Sequence, residues 1–153
     1  MGSAPRKRIV IASEHEGFEL AQQLRDDLRQ DFDVFEAGAL SCEAVDYPSI
    51  AMDVTERVMG GEFDLGILIC GTGIGMSIAA GKVRGSRVAL CTNEFMAQMA
   101  RRHNDANILC LGAWVTGTRL SLAIVRGFLQ SEFEAGRHAR RVEQIDTLAR
   151  EQL

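Results

Sequence analysis

An apolar segment that runs directly into a glycine-rich turn is the feature that most restricts how this chain can fold. The segment Leu65-Gly-Ile-Leu-Ile69 has the character of a strand buried on both faces. It ends at Cys70, and the following Gly71-Thr72-Gly73-Ile74-Gly75 leads into helix-compatible residues through Ala80. The pattern predicts a buried strand, a tight turn and a helix in direct succession.

The glycine-rich turn predicts a binding site for a negatively charged group. A strand that feeds a tight turn and a helix points several backbone N–H groups at one place. Glycines leave out the Cβ atoms that would block close approach. Such a nest binds phosphate, or an oxyanion that develops during a reaction, and the thiol of Cys70 stands at its mouth. A tight turn beside a buried, unreactive cysteine is the alternative interpretation.

Two nucleotide-binding motifs also contain glycines at a turn, but both fit poorly. A dinucleotide fingerprint requires G-x-G-x-x-G, normally after the first strand, whereas Met76 occupies the third glycine position here. A Walker A loop requires Gly-Lys followed by Ser or Thr, whereas Gly81-Lys82 is followed by Val83. Both kinds of nucleotide site are therefore disfavoured.

Composition limits the classes of partner. The chain has 153 residues, which suits one domain, and a net charge of −4, which argues against nucleic acid and anionic membranes as partners. The sequence shows no membrane-spanning apolar run, no signal-peptide pattern and no C-x-x-C pair among its four cysteines. We therefore expect free thiols in a reducing cytoplasm and no structural zinc. Residues 1–7 are interpreted as a disordered leader and residues 8–153 as the folded domain.

Strand and helix patterns alternate along the chain. Strands are predicted at 9–12, 33–37, 65–69, 87–91 and 107–111, and helices at 17–30, 48–60, 74–80, 94–102, 116–131 and in the C-terminal segment. Strands separated by single helices favour right-handed crossovers. We therefore predict an α/β fold with a parallel sheet that helices cover on both faces.

Polar segments after two of the strands locate the candidate site. Ser13-Glu14-His15-Glu16-Gly17 follows the first strand, and the segment from Cys70 to Ser77 follows the third. Ligands of open parallel sheets bind at the carboxyl ends of the strands, near a switch in strand order. We therefore predict that His15 and Cys70 face one crevice. The alternative is that His15 is a surface residue that caps the following helix.

Two further polar segments lie elsewhere. His103-Asn104-Asp105 links a helix to the fifth strand, at the amino end of the sheet, and is either a solvated turn or part of a neighbouring subunit's crevice. Arg137 and Arg141 lie on one face of a predicted final helix, where they could clamp a phosphate or form a solvated charged face. The apolar stripe of the same helix, which we expect to pack on a partner subunit, consists of Val142, Ile145 and Leu148.

Five motifs occur in the order and spacing of one enzyme family. They are Ser13-Glu-His-Glu-Gly17, Asp46-Tyr47-Pro48, Gly66-Ile-Leu-Ile-Cys-Gly-Thr-Gly-Ile-Gly75, His103-Asn-Asp105 and Gly136-Arg-His-Ala-Arg-Arg-Val142. From about Arg8 to its end, the chain resembles the B-type ribose-5-phosphate isomerases and their galactose-6-phosphate isomerase relatives. The resemblance implies a single-domain, Rossmann-like three-layer sandwich with five parallel strands. It also implies a homodimer or dimer of dimers with active sites across the interface, and no metal or other cofactor.

The resemblance implies roles for individual residues. Cys70 would be the base that moves a proton between adjacent carbons through a cis-enediolate, Thr72 would pass protons between the substrate oxygens, and His103 would open the sugar ring. Asn104 would position His103, and backbone N–H groups of the loop would stabilise the enediolate. His15, Arg137 and Arg141 would bind the phosphate of the substrate. The other residues expected to contact substrate are Glu14, Tyr47, Gly71, Gly73, Ile74, Gly75, Met76, Ser77 and Trp114.

Two positions depart from the family pattern and bear on the substrate. Glu14 stands where the family has aspartate, and Trp114 stands where the family commonly has a phosphate-binding arginine. We expect an aldose–ketose isomerase of ribose 5-phosphate and ribulose 5-phosphate. The alternative substrates are a tetrose phosphate, a deoxy-sugar phosphate, galactose 6-phosphate or an unphosphorylated sugar. A non-catalytic phosphosugar-binding protein is the alternative from another class.

Overall fold

A computed structural model describes residues 5–151, in which strands and helices alternate. In chain order the elements are β1 (Arg8–Ser13), α1 (Phe18–Leu28), β2 (Asp33–Gly38), α2 (Tyr47–Met59), β3 (Leu65–Cys70), α3 (Ile74–Ala80), β4 (Val88–Leu90), α4 (Glu94–Asn104), β5 (Ile108–Gly112), α5 (Thr118–Gln130) and α6 (Arg137–Glu151). A short 3₁₀ turn (His15–Gly17) precedes α1. The first four residues of the expected leader lie outside the described residues.

The five strands form one parallel sheet in the order β2-β1-β3-β5-β4. The chain moves from β1 to β2 on one side and returns to β3 on the other, so the strand order switches between β1 and β3. In this pair Ser13 lies beside Ile69, so the segments that follow the two strands leave the same edge of the sheet side by side. Ligands of parallel sheets bind at such a switch point.

Two clusters of buried apolar side chains cover the two faces of the sheet. On one face, Ile9, Ile11 and Ile67 pack with residues of α1, α4 and α5. On the other, Val10 and Leu68 pack with residues of α2 and α3. Because successive strand residues point to opposite faces, the unbroken apolar runs of β1 and β3 fill both cores. The predicted three-layer α/β fold with five parallel strands is confirmed.

The last helix, α6, lies outside these layers and packs against α4. His138 and Val142 are buried by this packing within their own chain, whereas Ile145 and Leu148 are 48 % and 59 % exposed. The expected apolar stripe is therefore divided. Val142 is covered within its own chain, and packing of Ile145 and Leu148 on a partner subunit stays a prediction. Within residues 5–151, no helix has the length and apolar content that crossing a bilayer requires.

Candidate active site

Cys70 is the last residue of β3 and lies at the entrance of the glycine loop. It is 6 % exposed, and the N–H of Gly73 donates a hydrogen bond to its Sγ at 3.1 Å. Gly73 has a φ of 80°, in the left-handed region that favours glycine. A Cβ at this position would lie 2.9 Å from the backbone of Leu111. The conformation that aims an N–H at the sulfur therefore depends on glycine at position 73.

Two other buried thiols lie in different surroundings. Cys91 follows β4 and Cys110 lies inside β5, and both belong to the apolar clusters. Burial raises the pKa of Cys91 to about 11 and raises the pKa of Cys110 far above its ordinary value, because a thiolate is poorly solvated there. Both thiols therefore stay protonated at neutral pH. Cys70 belongs to the same apolar cluster as Cys110, but it also borders a cleft and accepts a hydrogen bond from a backbone N–H.

The loop side chains that follow Cys70 point in different directions. Thr72 is exposed, and its hydroxyl accepts a hydrogen bond from the N–H of Ile74 at 3.3 Å. Met76 is fully buried in the core beneath α3. Ser77 donates its hydroxyl to the Ile74 carbonyl at 2.7 Å and its N–H to the Gly73 carbonyl at 3.0 Å. Met76 and Ser77 are thus occupied within the core and α3, and neither lines the cleft beside Cys70.

Glu14 organises the turn that follows β1. It is 4 % exposed, and its Oε1 accepts hydrogen bonds from the N–H groups of Glu16 at 2.9 Å and Gly17 at 3.1 Å. The carboxylate thereby caps the 3₁₀ turn, because it accepts hydrogen bonds from backbone N–H groups at the start of the turn. Its Oε2 lies 2.9 Å from Nδ1 of His15. Glu14 therefore fixes the turn and contacts the imidazole that borders the cleft.

Glu16 connects His15 with Trp114 at the cleft entrance. Its Oε1 lies 3.4 Å from Nε2 of His15, and its Oε2 accepts a hydrogen bond from Nε1 of Trp114 at 3.3 Å. Trp114 is 69 % exposed, and its ring lies so close to Gly71 that a Cβ there would come within 2.8 Å. The residue pattern alone did not point to Glu16. The available signal was its position directly after His15, at the carboxyl end of the first strand.

These residues surround a cleft of about 520 Å³ at the carboxyl ends of β1 and β3. Tyr47, the first residue of α2, forms another wall, with its ring against the backbone of Gly75. The lining residues are Glu14, His15, Glu16, Tyr47, Cys70, Gly71, Thr72, Ile74, Gly75, Ile78 and Trp114. The structure thus brings His15 and Cys70 to one cleft. Of the side chains described there, none belongs to Lys or Arg.

The remaining predicted site residues lie at a second location. His103 and Asn104 end α4, just before β5 begins, so they are at the opposite edge of the sheet from Cys70. Asn104 lines a separate groove between β4 and α6. Arg137 and Arg141 are exposed near the start of α6, the helix that packs on α4. A single chain therefore does not bring these four residues to Cys70.

His103 is held at this second location by two residues that the sequence-based reasoning missed. Its ring stacks on that of His138, and its Nε2 lies 3.7 Å from Oε2 of Glu134. Burial lowers the pKa of His138, and the neighbouring His103, Arg137 and Arg141 lower it further, whereas Glu134 raises it by a smaller amount. The signal for His138 was its spacing of four residues from Val142, which places both on the inward face of one helix.

His103, Glu134 and His138 also offer three potential metal ligands within 4.8 Å of one another. One divalent ion needs ligand lone pairs that converge at about 2 Å, whereas the nearly parallel imidazole rings direct theirs side by side. Arg102 donates a hydrogen bond to the Glu134 carboxylate and holds the pKa of that carboxyl below its ordinary value. The geometry therefore suits a stacked, hydrogen-bonding group rather than a metal centre.

Comparisons with known proteins agree with one another. A family model described as Ribose/Galactose Isomerase matches residues 9–145. The chain is 43 % identical over 143 residues to ribose-5-phosphate isomerase B of Escherichia coli K12, covering 93 % of this chain and 96 % of that protein. Ribose-5-phosphate isomerase B of Clostridium thermocellum has a similar structure, with a TM-score of 0.93, 48 % identity and coverage of 95 % and 99 % of the two chains. A Mycoplasma genitalium ribose-5-phosphate isomerase B structure with bound ribulose 5-phosphate gives a TM-score of 0.89, 40 % identity and coverage of 94 % and 97 %.

Proposed function

The chain belongs to the ribose/galactose isomerase family and is an isomerase, and from this premise we propose that it interconverts ribose 5-phosphate and ribulose 5-phosphate. One observation carries the proposal. The Cys70 sulfur borders a cleft at the switch point of the sheet and accepts a hydrogen bond from the N–H of Gly73 at 3.1 Å. Such a donor stabilises a thiolate, which is the form of cysteine that can accept a proton.

In the proposed reaction, the Cys70 thiolate removes the proton from C2 of the open-chain aldose. The electron pair of that bond forms the C1–C2 double bond, and the aldehyde oxygen becomes the negatively charged oxygen of a cis-enediolate. Backbone N–H groups of the loop stabilise this charge. The exposed hydroxyl of Thr72 passes the O2 proton to O1. The C2 carbonyl then forms as the Cys70 thiol returns its proton to C1, so no external oxidant or base is consumed.

Ring opening and phosphate binding are assigned across a subunit interface. His103 of the partner subunit opens the ring, and Arg137 and Arg141 of the partner subunit bind the phosphate together with His15. Two observations support this assignment. All three partner residues lie away from the Cys70 cleft of their own chain, and the described lining of that cleft includes neither Lys nor Arg. The proposed assembly is a homodimer or dimer of dimers, and its free thiols suit the reducing cytoplasm.

Proton exchange tests the proposed function directly. In deuterated water, the wild-type protein should isomerise ribose 5-phosphate and incorporate deuterium at the carbons that exchange their proton. The Cys70→Ala variant should still bind the sugar phosphate but should do neither. Cys42→Ala is the matched control, because Cys42 is an exposed thiol that does not line the cleft. Wild-type protein that binds ribose 5-phosphate without isomerisation or exchange contradicts the proposal.

Trp114 favours a second candidate within the same reaction class, a phosphorylated tetrose or deoxy-sugar. Its indole adds a bulky apolar surface at the entrance of the cleft and contributes no positive charge. The comparison to make is kcat/KM for phosphorylated tetroses, pentoses, deoxypentoses and hexoses, with unphosphorylated sugars alongside. A higher kcat/KM for a shorter or deoxygenated sugar phosphate than for ribose 5-phosphate would support the second candidate.

A further inference from the structure

Glu16 engages both side-chain N–H donors of the Cys70 cleft. Among the lining residues that the structure describes, only His15 and Trp114 carry a side-chain N–H group. The Glu16 carboxylate contacts both, with Oε1 3.4 Å from Nε2 of His15 and Oε2 3.3 Å from Nε1 of Trp114. A carboxylate that belongs to the chain itself therefore already lies against the two side-chain N–H groups of the cleft that could contact an anion of the substrate.

The electrostatic surroundings strengthen this effect. Nδ1 of His15 lies 2.9 Å from the buried carboxylate of Glu14, so both ring nitrogens of this histidine face carboxylates. A phosphate dianion that approached Nε2 would have to displace Glu16 or remain beside it. Like charges a few ångströms apart repel each other strongly when water screens them only in part. Displacement is feasible, because 43 % of the Glu16 side chain is exposed to solvent.

We propose that Glu16 is a specificity-determining residue that acts as a built-in competitor for the phosphate group of the substrate. Trp114 is the positioning residue, since its N–H holds the second carboxylate oxygen across the cleft entrance. The inference rests on the proposed sugar-phosphate isomerase function and deepens it. Glu16 weakens the binding of any substrate whose phosphate must lie against His15, and it favours substrates whose phosphate is held by other cations or is absent.

Binding of inorganic phosphate, measured by calorimetry on the intact protein, tests the inference without turnover. Glu16→Gln keeps the size of the side chain and removes its charge, so we expect it to lower the phosphate Kd by about fivefold or more. Glu19→Gln is the matched control, because it makes the same charge change on an exposed residue of α1 that does not line the cleft. Its phosphate Kd should equal that of the wild type.

The remaining outcomes separate this inference from the proposed function. Glu16→Gln protein that binds phosphate no more tightly than wild type overturns the role of Glu16, even if the protein is an active isomerase. Tighter binding in a protein that isomerises no sugar phosphate supports the role of Glu16 and contradicts the proposed function. Thermal midpoints check that the variants fold, and Glu16→Ala is a second variant in case Glu16→Gln does not. In an active isomerase, Glu16→Gln should also lower KM for a phosphorylated sugar but not for its unphosphorylated form.

Discussion

The imidazole rings of His103 and His138 stack with their centroids 4.1 Å apart and their planes 7° apart. His103 belongs to the last turn of α4 and His138 to the first turn of α6, so the stack joins two helices at the edge of the sheet opposite the Cys70 cleft. The residue to which we assign ring opening is therefore oriented by a buried neighbour. This neighbour is sensitive to pH, since its charged form is disfavoured by burial.

We expect His138 to make the protein less stable in mild acid. Burial lowers its pKa below the ordinary value of 6.5, and the neighbouring His103, Arg137 and Arg141 lower the pKa further, whereas the Glu134 carboxylate acts in the opposite direction. The unfolded chain therefore binds a proton at a higher pH than the folded chain. The contribution of neutral His138 to the free energy of unfolding is complete above about pH 6.5. It is lost as the pH falls through the lower pKa of the folded state. Thermal midpoints measured from about pH 8 to about pH 5 should fall more steeply for wild type than for His138→Phe. Equal slopes would contradict this role of His138.

Replacing Cys70 with alanine should abolish catalysis while substrate binding persists. Without the sulfur, the group that we assign to take the C2 proton is missing, so kcat should fall on the order of a thousandfold or more. Calorimetry should still detect binding of ribose 5-phosphate, because the loop N–H groups and the phosphate-binding residues remain. Near-normal turnover in the alanine variant would transfer the role of base to Glu14, the buried carboxylate of the same cleft.

Complementation between two inactive variants tests the shared active site. Cys70→Ala and His103→Ala each remove one proposed catalytic group, and these groups lie at opposite edges of the same sheet. If each site uses Cys70 from one subunit and His103 from the other, mixed dimers contain one site with both native residues. Co-expression should therefore restore part of the activity. Mixed dimers that stay inactive, although mass spectrometry shows that they have formed, would count against a site across the interface.

Substituting Gly73 should destabilise the loop that holds the thiol. Gly73→Ala places a Cβ at a φ of 80° and 2.9 Å from the Leu111 backbone, a combination that should lower the free energy of unfolding by about 1–3 kcal/mol. Gly117→Ala is the control, because Gly117 has a φ of −70° and a Cβ added there would meet no atom within 4 Å. Denaturant unfolding compares the two variants. Equal stability of the two would show that the loop accommodates a side chain at Gly73.

The sequence predicted those features that follow from local pattern and strand order. β1 and β3 were recognisable because both of their faces are apolar, and residues that follow neighbouring parallel strands must meet at one edge. This reasoning brought His15 and Cys70 together. It placed the start of the first helix at 17, whereas a 3₁₀ turn capped by the Glu14 carboxylate delays α1 until Phe18.

The partners of individual side chains were less predictable. Glu16 and His138 both lie inside recognised motifs, yet their roles depend on residues far away in sequence. Glu16 acquires its role from Trp114, which follows β5, and His138 acquires its role from the docking of α6 on α4. Contacts of this kind are set by tertiary packing, which neither residue spacing nor hydrophobic periodicity encodes.

Trp114 stands where we expect a phosphate-binding arginine from the family resemblance, and Glu16 contacts its indole N–H. Trp114→Arg would add a cation to a cleft whose described lining has neither Lys nor Arg, so the affinity for ribose 5-phosphate should increase. Because the Glu16 carboxylate lies 3.3 Å from Nε1 of Trp114, it would pair with the new guanidinium and reduce the gain. The double variant Trp114→Arg/Glu16→Gln should therefore bind ribose 5-phosphate about tenfold more tightly than wild type. Its gain in binding free energy should exceed the sum of the gains of the two single variants. The Kd values of the wild type, the two single variants and the double variant together measure this coupling. A double variant that binds ribose 5-phosphate no more tightly than Glu16→Gln alone would show that Trp114 lies outside the phosphate pocket.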